Sequence, residues 1–364
     1  MREQRITFSL STFLLTLLSV LLIVLLWQLR GLVLLLMISI VLAASISPLV
    51  DGAERLRIPR WLGVILVYLT LLSGLTGLGL LIGPTVFQQI ERLIQKLPSY
   101  AEILIQLAEN LLDNWTNTPP ELFNLVDLQQ ITSWLIRSSQ QLVLRSYSIT
   151  RGIIGGVFSL ILSLFISGYM VADSQTLINS LVRLLPEPWD SKIAAQVPTI
   201  GYRMGSYIRG RLIVSFILGI VTTVGLGILG LREFSLGLGA IAGVTNLIPF
   251  IGPVLGAIPA LVVAIASGGW TFLWVLLFFV VIQNVETYIL DPFLVGSSVG
   301  IHPLYQLLAV LGGTQVLGII GALIVPPWVA GAATLLENLY IQPKLAAEKA
   351  TELSSQATED FGDR

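Results

Sequence analysis

Five polar side chains lie inside or beside long apolar runs of this 364-residue chain: Asn246, Gln283, Asn284, Glu286 and Asp291. A carboxylate at the centre of a bilayer costs about 2.5–3.5 kcal/mol on insertion scales, and one retained there usually handles an ion or a substrate. Glu286, near the end of the apolar stretch 270–290, is therefore the leading candidate to bind a proton or a cation. Its alternative is a carboxylate facing water at the helix end. Asp291 precedes Pro292 and suits either the same path or a loop or cap role. Asn246 offers a donor and an acceptor, either to a solute or to interrupted backbone beside it. Gln283 and Asn284 could line that path or serve as amide glue between helices. If Asn246, Gln283 and Glu286 face one aqueous cavity, solute and ion would couple there.

Other chemistries lack their residues. Cysteine is absent and His302 is the sole histidine, so neither thiolate nor multi-histidine metal sites can form. His302, before Pro303, could relay protons near neutral pH or cap a loop. It stands four residues from Ser298 on one proline-ended loop, unlike the separate-helix dyad of an intramembrane serine protease, and no Gly-x-Gly-Asp motif occurs. There is no P-loop, so ATP coupling would need another chain. No enzyme activity and no cofactor are expected. No Lys/Arg run and a net charge of -1 argue against nucleic acid.

The elements that must position these groups are membrane helices. Hydrophobic residues make up 55% of the chain and charged residues 11%, against about 25% charged in soluble domains. Mean hydropathy is +0.87. Residues 8–29 follow Arg2 and Arg5 but are too long for a cleaved signal and lack a small-residue cleavage site. With 31–50 they fit a tight helical hairpin around Arg30. A third span, 61 to about 89, exceeds bilayer thickness and should tilt or protrude. The pattern divides into an N-terminal part, 1–90; an amphipathic helical insert outside the membrane, 91–151; a transport core, 152–342; and a polar tail, 343–364. The insert is either a membrane-surface or subunit-contacting arm or a solvated hairpin. Spans at 152–172 and 212–231 flank a basic segment that places the N-terminus in the cytoplasm by the positive-inside rule. By the same rule Arg209 and Arg211 read as interfacial anchors.

The C-terminal half breaks its own helices. Pro249, Gly252, Pro253, Gly256 and Pro259 interrupt the apolar run at 246–259. An interior proline removes a backbone bond and costs about 3 kcal/mol, so this run must be discontinuous at membrane depth. A second run, 304–325, carries Gly312-Gly313, Gly318 and Gly321 and closes at Pro326-Pro327, with a hairpin tip expected near Gly312-Gly313. Two interrupted segments, each after a regular span, mark transporters with inverted repeats. Segment 328–342 either crosses or lies in the interface. A non-transporting membrane scaffold would explain the hydrophobicity but not the two broken helices. The fold class is an all-α polytopic membrane protein of about eight transmembrane segments.

In order along the chain, the 246–259 stretch, Gln283-Asn284-Val285-Glu286-Thr287-Tyr288-Ile289-Leu290-Asp291-Pro292, Gly296-Ser297-Ser298-Val299-Gly300-Ile301-His302-Pro303, and Gly312-Gly313 with Gly318, Gly321 and Pro326 resemble the autoinducer-2 exporter family of permeases. Tyr207-Ile208-Arg209-Gly210 and Asp173 also sit where that family has similar residues. The resemblance implies a bacterial inner-membrane protein that forms homo-oligomers, a pentamer among the options, and exports small polar solutes. Some members of the family are regarded as sodium or lithium/proton antiporters, so protons or sodium are implied as coupling ions and the substrate is not fixed.

Overall fold

The computed structural model describes residues 10–113, 159–296, 302–350 and 352, and every regular element among them is helical. They form α1 (Leu10–Gln28), α2 (Arg30–Arg55), α3 (Arg60–Asp113), α4 (Ser159–Ala172), α5 (Ser174–Val182), α6 (Trp189–Ile228), α7 (Ser235–Thr245), α8 (Ile251–Ala266), α9 (Thr271–Val285) and α10 (Pro303–Leu336). Five described helices are long and apolar enough to cross a membrane, and a sixth if α4 and α5, bent by 83° at their junction, make one span. The polytopic all-α class is thus observed. Residues 114–151 of the insert, the motif 297–301 and most of the tail lie outside the described residues.

The N-terminal hairpin is corrected. Leu29 N–H donates to Leu25 O at 2.9 Å and Val33 N–H to Leu29 O at 2.9 Å, so the helical ladder continues from α1 into α2. A one-residue joint of leucine, with no glycine or proline to turn on, gives the chain no means of folding back. α3 is 54 residues long, roughly 80 Å, and runs without interruption through the boundary expected at 90. Its most apolar window is 6% buried, against 33% for α6, so α3 presents most of its apolar surface outward.

α6 is the axis of the fold. Gly230, at φ 97, ends the α6 region and lets the chain reverse into α7. α7 and α8 have 11 and 16 residues, about 16 and 24 Å, both short of the roughly 30 Å hydrocarbon layer. They form a re-entrant hairpin: a Cβ on Gly256 would lie 2.8 Å from Ala242 Cα, and one on Gly252 would collide with Thr245 O. The break itself is Asn246-Leu247-Ile248-Pro249-Phe250, while Pro253 and Pro259 fall within α8. Proline is tolerated in a helix's first turn, which accommodates Pro253.

α10 folds back at Gly318, whose φ 68 and ψ −153 are almost exclusive to glycine. A Cβ on Gly313 would collide with Gly321 O, and one on Gly321 with Gly313 O. Residues eight apart in a straight helix are about 12 Å apart, so the two arms must be antiparallel neighbours. The tip expected at Gly312-Gly313 is therefore displaced: both residues are helical, and Gly313 serves the close approach instead. Segment 328–342 belongs to the return arm, which is continuous with it.

Candidate functional site

α7 descends antiparallel to the C-terminal half of α6. A Cβ on Gly239 would meet Gly219 O at 2.7 Å and one on Gly243 would meet Ser215 O at 3.0 Å; about one turn further along, Arg211 Nη2 donates to Asn246 Oδ1 at 3.4 Å. The second hairpin occupies the other half of α6. Gln306 Nε2 donates to Tyr207 Oη at 3.4 Å, a Cβ on Gly331 would meet Ile200 and Met204, and Asn338 Nδ2 donates to Gln196 Oε1 at 2.6 Å. The two hairpins thus approach from opposite ends of one helix. Tyr207 and Arg211, one turn apart on the same face, touch one hairpin each.

Arg211 is the centre. Its side chain is 2% exposed, and Nη1 lies 3.0 Å from Glu286 Oε1 and 3.2 Å from Asp291 Oδ1. Glu286 is 4% exposed and Asp291 38%, so Asp291 forms the open edge of the cluster. One guanidinium shared by two carboxylates leaves a formal charge of -1 when all three are ionised. Among the described residues three buried side-chain polar atoms have no partner: Arg211 Nε, Asn246 Nδ2 and Ser215 Oγ. Asn246 Nδ2 neighbours Glu286 without reaching hydrogen-bond geometry. Each unsatisfied buried group costs about 1–3 kcal/mol; two of them, Arg211 Nε and Asn246 Nδ2, belong to the cluster and Ser215 follows one turn along α6, which favours an occupant with hydrogen-bond acceptors there.

Backbone winding brings the two carboxylates together. Five residues of α-helix turn through about 500°, which would point Glu286 and Asp291 about 140° apart. The segment Glu286–Leu290 is π-helical, with Asp291 N–H bonded to Glu286 O, and this i→i+5 winding stacks the two side chains. Pro292 follows directly and has no N–H for the carbonyl four residues back, which removes one bond that would hold α geometry. The tip of the first hairpin is strained as well: Phe250 has φ 65, uncommon for a bulky side chain.

Of the residues expected to act together, Asn246, Glu286 and Asp291 converge. Gln283, half-buried, donates to Thr287 Oγ1 at 3.4 Å, and Asn284, exposed, donates to Val280 O at 2.8 Å, so both amides are engaged along their own helix. His302 accepts from Leu304 N–H at 3.2 Å as the N-cap of α10, the capping role. The interfacial reading of Arg209 and Arg211 is corrected. Arg211 is buried among the acids, and Arg209 donates to Ala44 O at 3.2 Å, Ser45 O at 3.0 Å and Ser206 Oγ at 2.9 Å. The missed signal was the spacing Tyr207-x-x-x-Arg211 together with two acids lacking a counter-charge. Hydropathy starts the span at Leu212, whereas α6 begins at Trp189 and carries both polar residues inward.

Residues 14–341 match the family model of the AI-2E family transporter. The chain is 30% identical over 303 residues to YrrI of Bacillus subtilis, a candidate transport protein, covering 80% of this chain and 82% of that one. It is 25% identical over 317 residues to YueF of the same organism, covering 86% and 85%. A candidate transport protein of Synechocystis sp. is 26% identical over 305 residues, covering 80% and 73%. Helices that cross a membrane, two re-entrant hairpins and a match over nearly the whole length agree: this chain belongs to the AI-2E transporter family.

Proposed function

We propose that this protein exports a small polar solute across the bacterial inner membrane by ion-coupled alternating access, with Arg211, Glu286, Asp291 and Asn246 as the site. The observation that carries this reading is the pair of acids sharing one buried guanidinium where the first hairpin tip meets α6 and the Glu286–Leu290 turn. The surplus negative charge attracts a proton or a sodium ion, and intramembrane ionisable groups with partners mark such pathways. Neutralising Glu286 would weaken its hold on Arg211 and loosen the tie between α6 and the π turn. The hairpins would then move against α2 and α3 as the static frame. The same charge supports a second reading, sodium or lithium/proton antiport, in which the cation is the only cargo. Orientation is anchored on the Arg55–Arg60 turn, which the positive-inside rule places in the cytoplasm. Assembly into homo-oligomers is part of the same proposal, with the outward-facing apolar surface of α3 shared between lipid and a second copy.

The test is reconstitution into proteoliposomes with imposed pH and sodium gradients, scored against a panel of small polar solutes. Glu286→Gln keeps the shape and removes the charge. It is expected to insert normally and to lose the dependence of transport on pH or sodium. Transport with unchanged ion dependence would refute Glu286 as the coupling group, and cation exchange with no solute flux would select the antiport reading.

A further inference from the structure

The site carries two unmet demands of different kinds. Glu286 and Asp291 together bring two negative charges against one guanidinium, so a monovalent cation balances the cluster. Arg211 Nε and Asn246 Nδ2 are donors without acceptors, and Ser215 Oγ, one turn beyond Arg211 on α6, has no partner either. A bare metal ion or a proton answers the first demand and not the second, because the N–H donors of Arg211 Nε and Asn246 Nδ2 do not coordinate a cation. A neutral hydroxylated solute answers the second and not the first. An anionic solute answers the second but deepens the charge surplus. One molecule that carries an ammonium and an uncharged acceptor oxygen a few bonds away answers both.

Resting on the transport reading above, we infer that the site takes a small protonated amine bearing a hydroxyl or carbonyl oxygen. The ammonium sits against Glu286 and Asp291, entering past the half-exposed Asp291 edge. The oxygen accepts from Arg211 Nε and Asn246 Nδ2, and a hydroxyl donates its own hydrogen bond to Ser215 Oγ. Amine and inorganic cation neutralise the same surplus charge, so they compete instead of binding together. The substrate class therefore sets the coupling: an amine that displaces sodium or a proton moves in exchange for it. Recognition is divided between the carboxylates, which demand charge, and the three unpaired groups, which demand an oxygen.

Isothermal titration calorimetry on the full chain in mild detergent, at neutral pH, tests this with three probes: ethanolamine, ethylamine and ethylene glycol. Ethanolamine is expected to bind, ethylamine to bind roughly tenfold more weakly, and ethylene glycol to give no heat. Sodium is expected to raise the apparent Kd for ethanolamine in proportion to its concentration. Ser215→Ala, a small change on a well-packed helix, is expected to weaken ethanolamine several-fold and leave ethylamine unaltered. Ethylene glycol binding as well as ethanolamine, ethanolamine indifferent to sodium, or Ser215→Ala without effect on ethanolamine would each overturn the inference. If ethanolamine fails while sodium binds and Glu286→Gln abolishes sodium binding, this inference falls and the transport site stands. If sodium binding survives Glu286→Gln, the transport site itself is wrong.

Discussion

Arg209 Nη1 lies 3.2 Å from the carbonyl oxygen of Ala44, the carbonyl that Pro48 leaves without its helical partner four residues on. A Cβ on Gly205 would collide with that same oxygen, so the backbones of α2 and α6 are in direct contact there. The proline opens a gap in the α2 ladder and a side chain from α6 fills it. Arg209→Ala is expected to destabilise the protein by about 1–3 kcal/mol, because two helix carbonyls lose a charged donor. Pro48→Ala restores the N–H. In that background Arg209→Ala is expected to do less harm, and a thermal-melt double-mutant cycle measures the difference at about 0.5–3 kcal/mol. Strictly additive effects would show that Arg209 does not serve the Pro48 gap.

Removing Arg211 alone strands the buried Glu286 carboxylate with Asp291 beside it and no counter-charge. Arg211→Met is expected to destabilise by about 3–5 kcal/mol, whereas the triple change Arg211→Met, Glu286→Gln, Asp291→Asn recovers most of that loss. Melting temperatures in detergent report the order. A triple variant no better than the single one would mean that Arg211 acts through packing and not through charge.

The position of the second hairpin tip can be read from glycine substitutions. Gly312 is helical, and a Cβ added there would have no heavy atom within 4 Å, so Gly312→Ala is expected to be neutral or to stabilise by about 0.5–1 kcal/mol. Gly318→Ala forces φ 68, ψ −153 on an alanine and is expected to cost about 1–3 kcal/mol. Gly321→Ala drives a methyl into Gly313 O and is expected to lower both stability and transport. A harmful Gly312→Ala beside a harmless Gly318→Ala would return the tip to Gly312-Gly313.

The start of the first hairpin is held to α3 from outside. Lys96 Nζ donates to both oxygens of Glu233 at 2.9 and 3.0 Å and stands 5.0 Å over the Phe234 ring, while Gln89 Oε1 accepts from Gly237 N–H at 2.7 Å. Lys96→Glu is expected to change the transport rate in low salt and to be rescued by adding Glu233→Lys. The difference should shrink as salt rises to about 1 M, where the screening length is about 3 Å. A rate that ignores both the reversal and the salt would show that this tie does not restrain the hairpin.

What the sequence revealed depended on whether the signal was chemical or geometric. Pro249 and its neighbours announced the first break, and Glu286 announced itself as an acid in an apolar run. Gly318 did not stand out, because a glycine doublet is more visible than a single residue, and composition does not say which glycine takes φ 68. Arg211 was assigned to a membrane boundary because hydropathy windows end at charges, while α6 is 40 residues long and carries the charge well inside. Gln283 reads with Glu286 as part of one polar helix end, but its amide is engaged by Thr287. The one-residue joint at Leu29 could have excluded the N-terminal hairpin, since apolar length alone says nothing about a turn.

The π turn between Glu286 and Leu290 amounts to one residue more than an α-helical turn needs. If Arg211 releases one of the acids, rewinding to α geometry becomes available, and each residue so regained turns everything downstream by about 100°. Downstream lie Pro292–Gly296 and, beyond the undescribed 297–301, the N-cap of α10. A change in charge at Glu286 is thereby convertible into a rotation of Pro292–Gly296, the segment that carries Leu294 and Val295 against α6.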